Sequence, residues 1–218
     1  MVDMIRHALI AFLPIVFAIT FHEAAHAYVA HRLGDRTAKA LGRLSLNPAR
    51  HIDPVGTIIL PIMLYLISDG RFVFGYAKPV PINWQNFRDP RKGMAISAAG
   101  GPLSNILLGA ISIILLKHMV LPMAGAGMLP MKLAEPIALM LKASVYVNVF
   151  LASLNLLPVL PLDGGRVLVG MVPRDVAIKL ERLEPYGMFI VIILLVTNMA
   201  DYFIYPLAKF IVSILNIL

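Results

Sequence analysis

The chain has 218 residues, 59% of them hydrophobic and 14% charged, with a mean hydropathy of +0.82. Ordinary soluble domains carry about 25% charged residues, so a soluble globular enzyme is excluded. Disorder is excluded too, because a chain this apolar must bury its surface, and its long Ile/Leu/Val runs point to lipid.

At about twenty residues per helical span, the expected fold is an all-α polytopic membrane protein with about four to six membrane segments. The organisation expected is one integral membrane domain over residues 1–218, with no internal repeat. The first apolar segment covers residues 5–30, with Pro14 as a kink and Phe21-His22-Glu23-Ala24-Ala25-His26 in its second half. A single Arg6 precedes it and no small-residue cleavage site follows, so it reads as a retained span. Residues 32–53 form a basic loop. Residues 54–67 are apolar but short and interrupted by Gly56 and Pro61, which suits a re-entrant segment. Residues 72–81 (FVFGYAKPVP) alternate aromatic and small residues, and predict a short extended strand within a β-hairpin. Apolar segments follow at 94–116, 136–157 and 186–218, the last divided near Asp201.

The net charge of +7 invites a nucleic-acid reading, yet the basic residues lie in loops beside apolar runs, so membrane orientation explains them and no nucleic-acid partner is expected. Ten of the nineteen Lys and Arg fall in residues 32–92, and Arg166, Arg174, Lys179 and Arg182 mark a second basic loop. Both loops are expected on the cytoplasmic side of a multi-pass cell-membrane protein. That arrangement brings His26 and the end of the 136–157 segment to the same side.

His22 and His26 are four apart, so on a helix their rings project from one face, roughly 6 Å apart along the axis, and can share one metal ion. Glu23 lies about 100° round the helix, in reach of a water at that metal without being a ligand. It fits a general base. A catalytic zinc takes three protein ligands and one open position, and with no cysteine in the chain the third must be His, Asp or Glu. His31 points to another face, while His7, His51 and His118 fall near membrane edges or in loops. Asp163 is better placed: it follows Asn155-Leu156-Leu157-Pro158-Val159-Leu160-Pro161-Leu162, where two prolines end a helix, and precedes Gly164-Gly165. An acidic residue at membrane depth also asks for a partner.

His-Glu-x-x-His in an N-terminal membrane helix, with Asn-x-x-Pro-x-x-Pro-x-Asp-Gly far downstream, resembles the site-2 protease family of intramembrane zinc metalloproteases. The stretches GYAKPVP (75–81) and AGGPLSN (99–105) are similar to segments of its small prokaryotic members. The resemblance implies one Zn2+ per chain held by His22, His26 and Asp163, with Glu23 as catalytic base and Asn155 holding substrate near the metal. It implies membrane-spanning protein substrates cut within the bilayer, in a site open to the cytoplasmic side, with residues 72–81 as a substrate-pairing strand. Neither a PDZ nor a CBS regulatory domain is expected. In the small-residue run, Gly100, Gly101, Ser104 and Gly109 read as close helix packing and Asn105 as a helix cross-link. The rival reading is a metal transporter or metal-binding membrane protein in which His22, Glu23, His26 and Asp163 form a transit site.

Overall fold

In lipid every backbone N–H and C=O must be bonded within the protein, and the apolar runs meet that demand as helices. The computed structural model describes residues 2–67 and 75–217. Ten α-helices appear among them: α1 (Val2–Arg32), α2 (Thr37–Ala40), α3 (Leu60–Ile67), α4 (Pro90–Leu115), α5 (Leu121–Gly125), α6 (Met131–Asn155), α7 (Asp163–Met171), α8 (Arg174–Glu181), α9 (Glu184–Val196) and α10 (Asp201–Ile217). A π-helical turn, Pro54–Ile59, leads into α3, and another, Leu116–Val120, joins α4 to α5.

Three helical stretches are long and apolar enough to cross a membrane: Phe12–Arg32, Pro90–Gly125 and Met131–Asn155. The pair α9 and α10 supplies a fourth if its two arms, bent by 80°, count as one broken span. The chain is a multi-pass membrane protein. Its outward-facing side chains agree, since Phe12, Leu103, Leu107, Tyr146 and Phe189 are all exposed, as lipid-facing residues are. The run Pro54–Ile67 is helical and too short to span a bilayer upright. Asp53 caps its start, accepting from the backbone N–H of Val55 and Gly56.

The expected β-hairpin is not formed: no strand occurs among the described residues, and residues 72–74 of the expected strand lie outside them. Residues 75–81 carry no regular structure, although alternate backbone groups are bonded as they would be in a strand. Tyr76 N–H donates to Gly56 O, Lys78 N–H to His51 O, and Val80 N–H to the Glu23 carboxylate. The partners are a loop and a side chain rather than a second strand. Pro79 and Pro81 have no N–H, which removes donors that a ladder would need. Arg43, buried, fixes the same segment by donating to Lys78 O and Pro79 O.

The packing centre is α1 against α4 and α6, with α7 lying against α4. A side chain at Gly100 would press on Val29 and the Ala25 carbonyl, so glycine sets how closely α4 approaches α1. Ile113, Val149, Ala152, Ile211 and Leu215 form one apolar core between α4, α6 and α10. Arg91 clamps α7 to α4, donating to the carbonyls of Val169 and Val172 at the end of α7.

On the basic side, fully buried Asp35 ties three segments together. It accepts from Thr37 N–H and Oγ1, from Asn83 N–H and from Asn86 Nδ2. Burial pushes this carboxyl up, but those hydrogen bonds outweigh burial and hold it below its ordinary 3.8. A carboxyl lowered on folding contributes stability that is present above its ordinary value and lost as pH falls through its folded value. Asp35→Ala should cost about 2–3 kcal/mol, because four donors lose a buried partner. Thermal unfolding of purified protein measures that loss, and Asp35→Asn should flatten the acid limb of its pH dependence.

Candidate metal centre

His22 and His26 sit on consecutive turns of α1, and the α4 residues behind them decide how their rings lie. His26 Nδ1 is 2.8 Å from the backbone carbonyl of Ser97, an atom that can only accept, so Nδ1 carries the hydrogen. His22 Nδ1 is 2.6 Å from Asn105 Oδ1. With each Nδ1–H spent on α4, the lone pair of each Nε2 points into the site.

Asp163 completes the group from the first turn of α7. A helix can begin there because side chains at Gly164 and Gly165 would collide with the backbone of residues 156–160, so only glycine lets α7 start against the end of α6. Asp163 Oδ2 lies 3.1 Å from His22 Nε2 and 3.3 Å from His26 Nε2, and the two Nε2 atoms are 3.0 Å apart. All three residues are nearly or fully buried.

With both imidazoles neutral and their hydrogens on Nδ1, three lone-pair atoms face one another. Asp163 Oδ2 is buried without a hydrogen-bond donor. Such a triangle repels itself unless a cation shares it. Its edges are close to the separation of about 3.3 Å between ligands at about 2.0–2.1 Å in a tetrahedral zinc site. The donor set, two imidazoles and a carboxylate, leaves a fourth position open, as a catalytic rather than structural site does. The residues therefore fit a zinc ion. Among the described residues this is the one cluster of three or more ligating side chains.

Glu23 stands beside the triangle and outside it. Its Oε2 accepts from Val80 N–H at 2.8 Å, which holds the carboxylate toward the same cavity. That cavity, about 560 Å³, is lined by His22, Glu23, His26 and Asp163, by residues of the 75–82 stretch, and by Asn155 and Arg166. Asn155 is thus brought to the site at the end of α6, where its amide donates to Leu151 O one turn back. The rejected histidines lie elsewhere: His51 is buried in the basic loop, bonded through Nε2 to Ser45 O, and His31 is not in the group.

The sequence reading missed three groups that touch the site residues. Asn105 was read as a helix cross-link, and it also holds a candidate ligand. The Ser97 carbonyl and the Val80 N–H are backbone atoms, which leave no mark in residue type. Gly101 carried a signal, but one read only as packing. A side chain there would overlap both Nε2 atoms, so only glycine lets α4 pass this close to the two rings.

A buried two-histidine, one-aspartate group with a glutamate beside it, on membrane-length helices, is the donor set expected of a membrane metal-dependent hydrolase. Comparison with known proteins agrees. Residues 127–197, which include Asn155 and Asp163, match the model of peptidase family M50. The chain is 36% identical over 195 residues to the protein named "Putative zinc metalloprotease YwhC" of Bacillus subtilis (strain 168), covering 89% of this chain and 84% of that one. It is 25% identical over 185 residues to "Putative zinc metalloprotease Rip2" of Mycolicibacterium smegmatis, covering 84% of this chain and 64% of that one. No solved structure matches. The chain belongs to peptidase family M50 and is a metalloprotease.

If the triangle is the metal site, Gly101→Ala should weaken zinc binding by about tenfold or more, since its methyl group occupies the space between the rings. Gly109→Ala, on the same helix but against Leu215 Cδ1 at 3.3 Å, is the control and should bind zinc normally. Zinc content after dialysis against a chelator reads the difference.

Proposed function

We propose that this chain is an intramembrane zinc endopeptidase that cuts membrane-spanning segments of other proteins, with His22, His26 and Asp163 as zinc ligands and Glu23 as the base. The observation that carries this is the triangle of acceptor atoms built on a membrane-length helix, with a carboxylate held beside it. Zinc, when bound, supplies a Lewis acid that acidifies water and polarises the scissile carbonyl. Glu23 accepts a proton from the attacking water and passes it to the leaving amine. The Val80 hydrogen bond occupies one oxygen of Glu23 and aims the carboxylate at the cavity. Asn155, on the cavity wall, is placed to hold substrate backbone or the developing charge.

The surroundings favour a membrane-embedded substrate. A second cleft of about 580 Å³, lined by Phe12, Ile15, Val16, Tyr146 and Phe150, shares Ile19, Gly75, Tyr76 and Leu151 with the catalytic cavity. It offers an apolar path from lipid to the metal site between α1 and α6. A transmembrane helix hides its peptide bonds, so a substrate must unwind to be cut, and residues 75–82 provide an extended wall for it. Substrates should therefore carry helix-breaking residues near the cut. The basic stretches beside α1 and α7 favour a site that opens toward the cytoplasmic side. The transporter reading needs several ion sites along a path, and a single ligand cluster among the described residues does not favour it.

The test is cleavage of a single-span model substrate by detergent-purified wild type and Glu23→Gln, with zinc measured on both. Zinc in both, with the variant slowed by at least about a hundredfold, supports hydrolysis by this site. Undiminished cleavage by Glu23→Gln removes Glu23 as base. Zinc in both with cleavage by neither, together with metal flux in liposomes, would favour transport.

A further inference from the structure

Behind His22 a line of polar side chains runs through the apolar bundle. Asn105 Nδ2 donates to Asn148 Oδ1 at 2.8 Å and to the Ala18 carbonyl at 3.2 Å. Asn148 Nδ2 donates to the Ser144 carbonyl at 2.8 Å and reaches Ser144 Oγ at 3.2 Å, and Ser144 Oγ is 2.8 Å from Ser112 Oγ. Asn105 is 0% exposed and Asn148 1%. Burying two amides in the middle of a membrane bundle, when Leu would fill the space at lower cost, calls for a reason beyond packing.

We infer that Asn105 and Asn148 act as a positioning pair that fixes the ring of His22 for metal binding. This rests on the metal-site reading given above. The direction of the chain is set at its ends. Backbone carbonyls only accept, so Ser144 O requires the NH2 of Asn148 and Ala18 O requires the NH2 of Asn105. Each amide must then present its oxygen the other way: Asn148 Oδ1 to Asn105, and Asn105 Oδ1 to His22. An oxygen at that point requires a hydrogen on His22 Nδ1, which leaves the Nε2 lone pair for the metal. Asn148 lies outside the metal group and acts on it only through Asn105.

Interhelical hydrogen bonds of this kind also hold helices together, which is the alternative role. Zinc affinity separates the two. Competition with a chromophoric chelator is measured on detergent-purified wild type, Asn105→Leu, Asn105→Asp, Asn148→Leu and His22→Ala, with thermal unfolding of each metal-free protein alongside. Positioning predicts that Asn105→Leu weakens zinc binding by about 10–100-fold. Asn105→Asp keeps an oxygen facing Nδ1 but loses the donor that Ala18 O and Asn148 Oδ1 take, so it binds zinc more tightly than Asn105→Leu and less tightly than wild type. Asn148→Leu gives a smaller loss than Asn105→Leu, since Ala18 O still orients Asn105, while unfolding stays cooperative. If Asn105→Leu binds zinc like wild type, or Asn105→Asp loses as much as Asn105→Leu, the positioning role is overturned. The His22→Ala arm distinguishes the two levels. If it loses zinc while Asn105→Leu does not, the metal site stands and the pair falls; if it keeps zinc fully, the site reading fails and the pair with it. Should Asn105→Leu not fold, Asn105→Asp and Asn148→Leu still decide the matter.

Discussion

Three atoms that each offer a lone pair lie 3.0–3.3 Å apart in a largely buried site, and the rest of the fold serves to keep them there. Without a cation the arrangement is repulsive, and the low dielectric of the site magnifies that repulsion. Helix packing must supply the restraint. The close approach of α4 to α1 at Gly100 and the Arg91 clamp on the end of α7 hold the two sides of the triangle in register. The packing thus holds the three acceptor atoms at a spacing that suits a shared cation.

The same logic explains where polar groups were admitted into so apolar a chain. Ser97, Asn105, Ser112, Asn148 and Ser153 are the buried polar residues of α4 and α6. Ser97 and Asn105 each meet a histidine of the pair. Asp35 is buried on the basic side, where it gathers the segments that carry residues 75–82 to Glu23. Ser97 and Asn105 thus serve the triangle and Asp35 the wall beside it, while the lipid-facing surface is left to large apolar side chains.

What could be read from the sequence was what is covalently close. His22 and His26 share a helix face by spacing alone, and Glu23 is placed by the same geometry. Asp163 was reachable because two prolines and two glycines mark a helix end that charge patterning puts on the side of His26. Residues 75–81 were harder, since their alternation is that of a strand. Whether such a segment forms one depends on what lies beside it, and here the neighbours are a loop and a glutamate. The sequence left the number of spans open: a π-helical turn carries the helical path on past Leu115, and the last apolar block, divided near Asp201, is bent there by 80°. Asn105 was legible as a polar residue in a small-residue stripe, but what it faces is decided by how α4 and α1 cross.

The position of Glu23 shows how a carboxylate can neighbour His22 on one helix without joining the triangle. One step from His22, its side chain leaves the face that meets Asp163 and meets the 75–82 stretch. There the backbone N–H of Val80 takes one oxygen. A carboxylate free to swing could reach the metal and close the open position. Tethered to Val80, it has a bonded alternative to doing so. The tether depends in turn on Arg43 and His51 of the basic loop and on Gly56 in the π-helical turn after it, which hold the stretch. The His-Glu-x-x-His spacing sets the two histidines and the glutamate side by side, and a stretch far from them in sequence holds the glutamate outside the triangle.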